Sequence, residues 1–335
     1  MVTMSDVAAE AGVSKSTVSL VISGKRPISA STTARVYDAM DKLGYTMNHA
    51  ARALSTSRTM TLGVAIPWTS GGFATLTQGT YLCTLAAFAK QRGYRTLLIS
   101  DEDGADSLRD VALGKQIDGV VLMEVRDEGD PRVDVIHELG LPAVLLGNPK
   151  ESQGIDSVDS DFADEAIRLV DHLGSRGHTN VLMVLGPQSI FDQKQSYALR
   201  FRDAAMHAAT SWGMHLIGES VEDSDDPAEA LRITLRRHPD VTAILIHNDA
   251  AAIVAPQLLN EMGVRVPDDL SVATIISGQL RRRTHIPYTS VDVDLPRITK
   301  ETINVLVNRL EHPDAPLVRR ILNHPLVDRN SVRSL

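Results

Sequence analysis

The residues of this chain whose types and spacing best suit chemistry lie between positions 6 and 22, DVAAEAGVSKSTVSLVI, and the chemistry is recognition rather than bond making. Lys15, Ser16, Ser19 and Leu20 fall on the outward side of a short helical pattern, with Val18, Val21 and Ile22 inward. An ammonium and small hydroxyls at the start of a helix can meet phosphate oxygens and base edges. Leu20 cannot donate a hydrogen bond, so apolar contact, as with a thymine methyl, is what it can offer.

Such a face needs a frame to hold it. Thr3 with Asp6 three residues on has the spacing of a capping box, and Gly12 supplies a left-handed stop. Val7, Ala8 and Ala11 share one face of this first helix, and Ser14 caps the second. Two short helices joined by an A-G-V turn form a helix-turn-helix pattern, whose second helix can enter the major groove. The same pattern also fits a plain helical hairpin with a solvated polar face. Ser29 opens a third helix to about Leu43, with Val36, Met40 and Leu43 inward and Gly44 as its stop. The following NHAARALSTSRT is helical in pattern but poor in apolar anchors, and so marginal in isolation. Such a segment can fold on meeting a partner.

The bulk properties set bounds. A length of 335 residues implies two or three domains. The single Cys83 excludes an internal disulfide and a metal site of paired cysteines, and fits a reducing cytoplasm. No stretch reads as a secretory leader or as an apolar run long enough to span a membrane. Net charge is −8, but residues 1–58 carry +3 and the remainder −11, so a basic head sits on an acidic body. No G-x-S-x-G elbow, phosphate loop or H-E-x-x-H is present, and the eleven histidines are scattered, which argues against an enzyme and gives no cofactor or metal site.

From Thr61 onward, TLGVAIP, RTLLIS, DGVVLM, PAVLLG, VLMVLG, AILIH and VATII read as buried parallel strands. Helical patterns at 73–92, 164–176, 193–212, 227–237 and 250–262 separate them. This alternation predicts an α/β body of doubly wound parallel sheets, with too many strands for one sheet and a crossing near residues 156–161. Two Rossmann-like subdomains facing a cleft, as in periplasmic sugar-binding proteins, satisfy the count. Ligands in such sheets bind beyond the carboxyl ends of the strands. That rule picks out Phe73, Asp161, Phe191, Gln193, Asn248, Asp249 and Ile276. Asn and Asp there can hold ligand hydroxyls while Phe73 or Phe191 stacks on an apolar face. Asp161 and Asp249 can equally be helix caps.

DVAAEAGVSKSTVS, LGYTMNHAARAL and TLGVAIP together resemble the lactose-repressor (LacI) family of bacterial transcription regulators. The likeness continues through RGH at 176–178, ND at 248–249 and VPDDLSV at 266–272. It implies a sequence-specific regulator, a repressor in type, that binds double-stranded operator DNA of pseudo-palindromic sequence as a homodimer. Its parts would be a helix-turn-helix domain at 1–46, a hinge helix and linker at 47–60, and an effector-binding and dimerisation body at 61–335. The body would divide into about 61–160 with 291–324, and about 161–290 with 325–335. The resemblance places Lys15, Ser16 and Leu20 on base edges, and Ser14, Thr17, Asn48 and His49 on the DNA backbone. It makes Leu54, flanked by Arg52 and Arg58, the hinge leucine that wedges into the minor groove; the alternative is a Leu54 packed on the body. With Thr3 and Arg52, these are the expected DNA-facing residues. Dimer contacts are expected around 73–88 and 107–115, and no tetramerising heptads are expected.

Departures from the family concern both ends of the device. Met47 replaces the usual proline before Asn48, and Thr33 replaces a common arginine. In the cleft, Tyr197 stands where sugar-binding members carry arginine and Ile276 where they carry aspartate, so two bidentate clamps for a polyol are lost. The effector expected is a sugar, a polyol or a phosphorylated derivative. For the last, Arg281, with Arg282, Arg283 and His285 on a loop, would supply the cations, unless that run is simply solvated. The second functional reading is a small-molecule binding protein without a DNA role.

Overall fold

The computed structural model describes residues 2–23, 26–45, 58–67, 76–100, 104–150, 152–221 and 226–335. The head is built from α1 (Met4–Ala11), α2 (Lys15–Ser23) and α3 (Ala30–Leu43). Thr3 and Asp6 form the capping box in both directions, the Asp6 carboxylate accepting from Thr3 N at 2.8 Å. Gly12 and Gly44 end α1 and α3 at φ of +62° and +61°, where a side chain would be strained. Val7, Val18 and Val36, one from each helix, are completely buried and meet Ala8, Ala11, Ala39 and Met40 in a closed small core. An ion pair from Lys42 to Glu10 ties α3 to α1 across the surface.

The body contains two six-stranded sheets. The first is ordered β11-β5-β4-β3-β1-β2, from β1 (Thr61–Ala65), β2 (Arg95–Ile99), β3 (Gly119–Leu122), β4 (Ala143–Leu146), β5 (Asp156–Ser160) and β11 (Arg319–Leu322). The second is ordered β12-β10-β9-β8-β6-β7, from β6 (Asn180–Leu185), β7 (His215–Ser220), β8 (Ala243–Ile246), β9 (Ser271–Ser277), β10 (Thr289–Val293) and β12 (Leu326–Val327). All named pairings are parallel except β10 with β12. Strands β1, β3, β4, β6 and β8 are apolar on both faces because helices cover both. Leu62, Val64, Val121 and Val144 face one side of the first sheet, and Ala65, Val120, Leu122 and Leu145 the other. The former side joins Val181, Met183 and Leu245 of the second sheet in one continuous cluster, so the lobes share apolar contact.

The chain crosses between lobes three times. It leaves the first sheet after Ser160, returns after Val293, and crosses again between Leu322 and Leu326. The return lies a few residues later than position 290, because β10 pairs with β9 through Val293. Helix Leu295–Glu311 then covers the first sheet, packing on helix Leu76–Gln91. There Arg309 holds Asp156 with two bonds of 2.8 and 2.9 Å, fixing the start of β5. The basic run at 281–283 is not on a loop. It lies in helix Gly278–Thr284, whose first turn Ser277 caps by accepting from Leu280 N at 3.0 Å. No described helix is long and apolar enough to cross a membrane.

Candidate functional site

Two surfaces carry the expected chemistry. On the head, Ser14 Oγ accepts from Thr17 N at 3.1 Å and lies 2.7 Å from Ser16 Oγ and 2.8 Å from Thr17 Oγ1. That cap fixes the direction in which α2 begins. Lys15 and Ser16 on its first turn are exposed, while Thr17 and Leu20 are half-buried at the margin of the core. The first turn of α2 contains no acidic residue, so the positive end of the helix and the Lys15 ammonium present one uncompensated cationic edge. Thr3 is exposed and engaged as the cap of α1. Asn48, His49, Arg52 and Leu54 lie outside the described residues. The chain re-enters them at Arg58, whose guanidinium donates to Leu310 O at 3.1 Å. Next to it, the Asp118 carboxylate accepts from Thr59 N at 2.6 Å, Thr59 Oγ1 at 2.9 Å and Met60 N at 2.9 Å.

The second surface is a cleft of about 580 Å³ at the carboxyl ends of both sheets. Of the residues expected there, Tyr197, Asn248, Asp249 and Ile276 line it. Asn248 is committed internally: its amide donates to Leu185 O and Val221 O at 3.3 Å, and Oδ1 caps helix Asp249–Glu261 by accepting from Ala251 N at 2.9 Å. Four expectations fall elsewhere. Asp161 caps helix Phe162–Gly174, accepting from Asp164 N at 3.2 Å, and the side chain after it, Phe162, lines the cleft instead. Phe191 is buried with the Arg202 guanidinium 5.1 Å over its ring. Gln193 accepts from Gln195 Nε2 at 3.3 Å. Arg281 donates to Asp292 at 3.0 Å, a carboxylate shared with Arg329, and so offers no cation to the cleft. Phe73 lies outside the described residues.

The cleft also collects side chains that strand and helix patterns do not single out. Glu124 follows β3 with φ of +51°, a left-handed backbone uncommon outside glycine. Its position just past a carboxyl end was the available signal. Asp159, in β5, accepts from Arg200 of the opposite lobe. Phe162, Tyr197 and His247 form a corner of rings with centroids 5.6, 5.9 and 6.2 Å apart, and Phe201 stacks on His247 at 4.1 Å. Burial raises Glu124 to about 7, raises Asp159 to about 6 despite Arg200, and lowers His247 to about 4, leaving that imidazole neutral. Asp249 is likewise raised by burial.

Beneath the cleft sits Arg132, 1% exposed. Its guanidinium places all five N–H groups: two bonds to Asp130 at 2.9 and 2.7 Å, and one each to Ala65 O at 3.3 Å, Met123 O at 2.9 Å and Glu124 O at 3.2 Å. It therefore pins the ends of β1 and β3. At the edge, residues 194–196 of one lobe clamp residues 124–127 of the other. Asp127 N donates to Lys194 O at 2.8 Å, Ser196 N to Val125 O at 2.9 Å, and Ser196 Oγ to Asp127 Oδ1 at 3.2 Å.

The raised Glu124 carboxyl has a consequence for stability. An acid whose folded pKa lies above its ordinary 4.5 takes up protons on folding, so its contribution is full below about 4.5 and is lost as pH rises through about 7. The Glu124→Gln variant is expected to lose that part of the pH dependence. At pH 8 it should be more stable than the parent by about 1–2 kcal/mol, less than the full shift implies because cleft water reaches the carboxyl. Urea unfolding at pH 5 and pH 8 measures this; an equal difference at both would show Glu124 to be solvated.

Comparison with known proteins bears on both surfaces. Residues 3–48 match the signature of bacterial regulatory proteins of the lacI family, and residues 170–332 match the periplasmic binding protein-like domain. The HTH-type transcriptional regulator CelR of Thermobifida fusca is 28% identical over 337 residues, 98% of each chain. The solved transcriptional regulator CelR–cellobiose complex superposes with a TM-score of 0.69 at 26% identity, covering 99% of this chain and 100% of that one. The lac repressor dimer bound to operator and the anti-inducer ONPF shares the fold, with a TM-score of 0.81 at 23% identity and 99% of each chain covered.

Proposed function

Because this chain belongs to the lacI family of bacterial regulatory proteins, we propose that it binds a pseudo-palindromic operator as a homodimer and answers to a small molecule held between its lobes. The observation that carries the reading is the head: a capped, closed three-helix unit that exposes Lys15 and Ser16 at the uncompensated positive end of α2. The division used is a head at 1–46, a linker at 47–60, and a body whose lobes are 61–160 with 294–324 and 161–293 with 325–335. Lys15, Ser16 and Leu20 read bases in the major groove, Ser14, Thr17, Asn48 and His49 fix register, and Leu54 with Arg52 serves the minor groove. The chain acts by binding rather than catalysis, in the cytoplasm where its operator lies.

Two half-sites require two heads related by a two-fold axis. Support for the pairing surface comes from the flank of the first lobe, where β2 is an edge strand. Leu98 of β2 is 55% exposed there. Effector control follows from the clamp at 124–127 and 194–196. A ligand that binds more tightly with the lobes in one relation shifts the population toward it, and the first lobes carry the heads.

Selection of bound sequences from a random DNA pool by the purified full chain tests the reading. The expected result is an enriched palindrome whose retention falls steeply with salt as phosphate contacts are screened. Enrichment of no two-fold symmetric sequence would overturn it.

A further inference from the structure

The chemistry of the cleft narrows the class of molecule it takes, an inference that rests on reading this cleft as the effector site. Three carboxyl groups line it: Glu124, Asp159 and Asp249. Two of them, Asp159 and Asp249, act on one neighbour: the Tyr81 hydroxyl, pushed up by burial, is pushed further by both. Among the described lining residues there is neither lysine nor arginine. The guanidinium that reaches the cleft from outside, Arg200, is bonded to Asp159, and Arg132 below it has every N–H engaged. Residues 68–75, which precede the lining residue Leu76, contain no basic side chain. Between the lining residues Val221 and Pro227 the chain reads Glu222-Asp223-Ser224-Asp225-Asp226.

Independent of charge, two buried polar atoms of the cleft without a partner can accept, beside the Thr77 hydroxyl, which can accept or donate, and the Arg200 Nε at its border, which donates. Gln195 lines it at 1% exposure with Oε1 lacking a hydrogen-bond partner. His247, another lining residue, has Nδ1 without a partner, and the neutral ring can accept there. The rings of Phe162, Tyr197 and His247 meet in a corner; one face of Phe162 already holds the Arg200 guanidinium at 5.8 Å and one face of His247 is stacked on Phe201, which leaves the Tyr197 ring and the remaining faces to attract a cation. Tyr197 occupies the place at which the resemblance leads one to expect arginine.

We propose that the cleft binds an organic cation, a protonated amine on a hydroxylated scaffold of the amino-sugar class. The ammonium sits among the carboxylates of Glu124 and Asp249 and the ring corner, and the hydroxyls donate to the open acceptors. A buried ammonium needs both a counter-charge and a hydrogen-bond acceptor, and the cleft supplies both. A sugar phosphate would meet three carboxyl groups and no free cation. A neutral hexose would bring no counter-charge to Glu124 and Asp249, whose ionised forms burial disfavours.

The test uses the purified full chain without DNA. Calorimetric titrations pair glucosamine with glucose and N-acetylglucosamine, pair galactosamine with galactose, and include glucose 6-phosphate. The expected result is that at least one amine binds about tenfold or more tightly than its neutral partner. Asp249→Asn should erase that preference, and so should Tyr197→Arg, which brings a cation into the ring corner. The proposal fails if a neutral sugar or the phosphate binds as tightly as its amine counterpart. It fails equally if neither amine binds at millimolar concentration, or if the preference survives Asp249→Asn. Since DNA is absent, any of these results leaves operator selection unaffected, and failure to select a palindrome with amine binding intact would overturn the regulator reading alone.

Discussion

Replacing Lys15 and Ser16 together by alanine is expected to lower affinity for the selected operator by about two to three orders of magnitude, with the unfolding transition of the protein unchanged. The magnitude follows from two base-edge contacts at about 1–3 kcal/mol each. The unchanged transition follows from exposure: both side chains stand outside the core of Val7, Val18 and Val36. Ser14, which caps α2 through Thr17 N, is left intact, so the helix keeps its starting direction. Affinity for random DNA should fall much less, because phosphate contacts elsewhere on the head carry that term. Fluorescence anisotropy with operator and scrambled duplexes measures both. Equal losses on the two would demote Lys15 and Ser16 to phosphate contacts.

The second large effect is structural. Arg132→Ala should cost about 3–5 kcal/mol of unfolding free energy, the usual penalty for removing one member of a buried ion pair. The loss goes beyond the pair. Asp130 would keep a buried carboxylate, and the carbonyls of Ala65, Met123 and Glu124 would each lose a donor beneath the cleft, Ala65 O keeping that of Met123 N. Asp130 is at present held below the ordinary carboxylate range, its burial outweighed by the bonds from Arg132. Arg132→Lys should recover little, since one ammonium cannot span two strand ends and a carboxylate. Urea denaturation followed by circular dichroism gives the difference; a change under about 1 kcal/mol would mean that water replaces the guanidinium.

How much of this was legible in the sequence depends on how local the determinant is. The head could be read almost completely, because Thr3, Gly12, Ser14, Ser29 and Gly44 act on residues within four positions of themselves. The strands buried on both faces announce themselves as apolar runs. β7, HLIGES at a sheet edge, and β10, TSVDV, do not, because polar residues interrupt them. Of the residues that line the cleft, the carboxyl-end rule picked out Asn248, Asp249 and Ile276, and the family resemblance added Tyr197. It missed Glu124, Asp159 and His247, and by one residue it took Asp161 for Phe162, since a capping aspartate and a ligand aspartate look alike in a string. The Arg281 assignment depended on Asp292, eleven residues away and brought alongside only when β10 pairs with β9.

The Asp118 anchor has a geometric implication for the DNA. Thr59 and Met60 are bonded to a carboxylate between the first lobe's strands, so the tether of each head begins at a fixed point of the body. From Arg58 back to Tyr45 the contour is thirteen residue steps, about 45 Å when drawn out fully. Whatever path that stretch takes, it cannot place a head beyond this radius. The distance between the two anchors of a dimer, plus twice that radius and twice the reach of a head from Tyr45 to Lys15, is an upper limit on half-site separation. The tether is thus a ruler whose zero is Asp118: lengthening it should widen the permitted operators without altering the base preference proposed for Lys15 and Ser16.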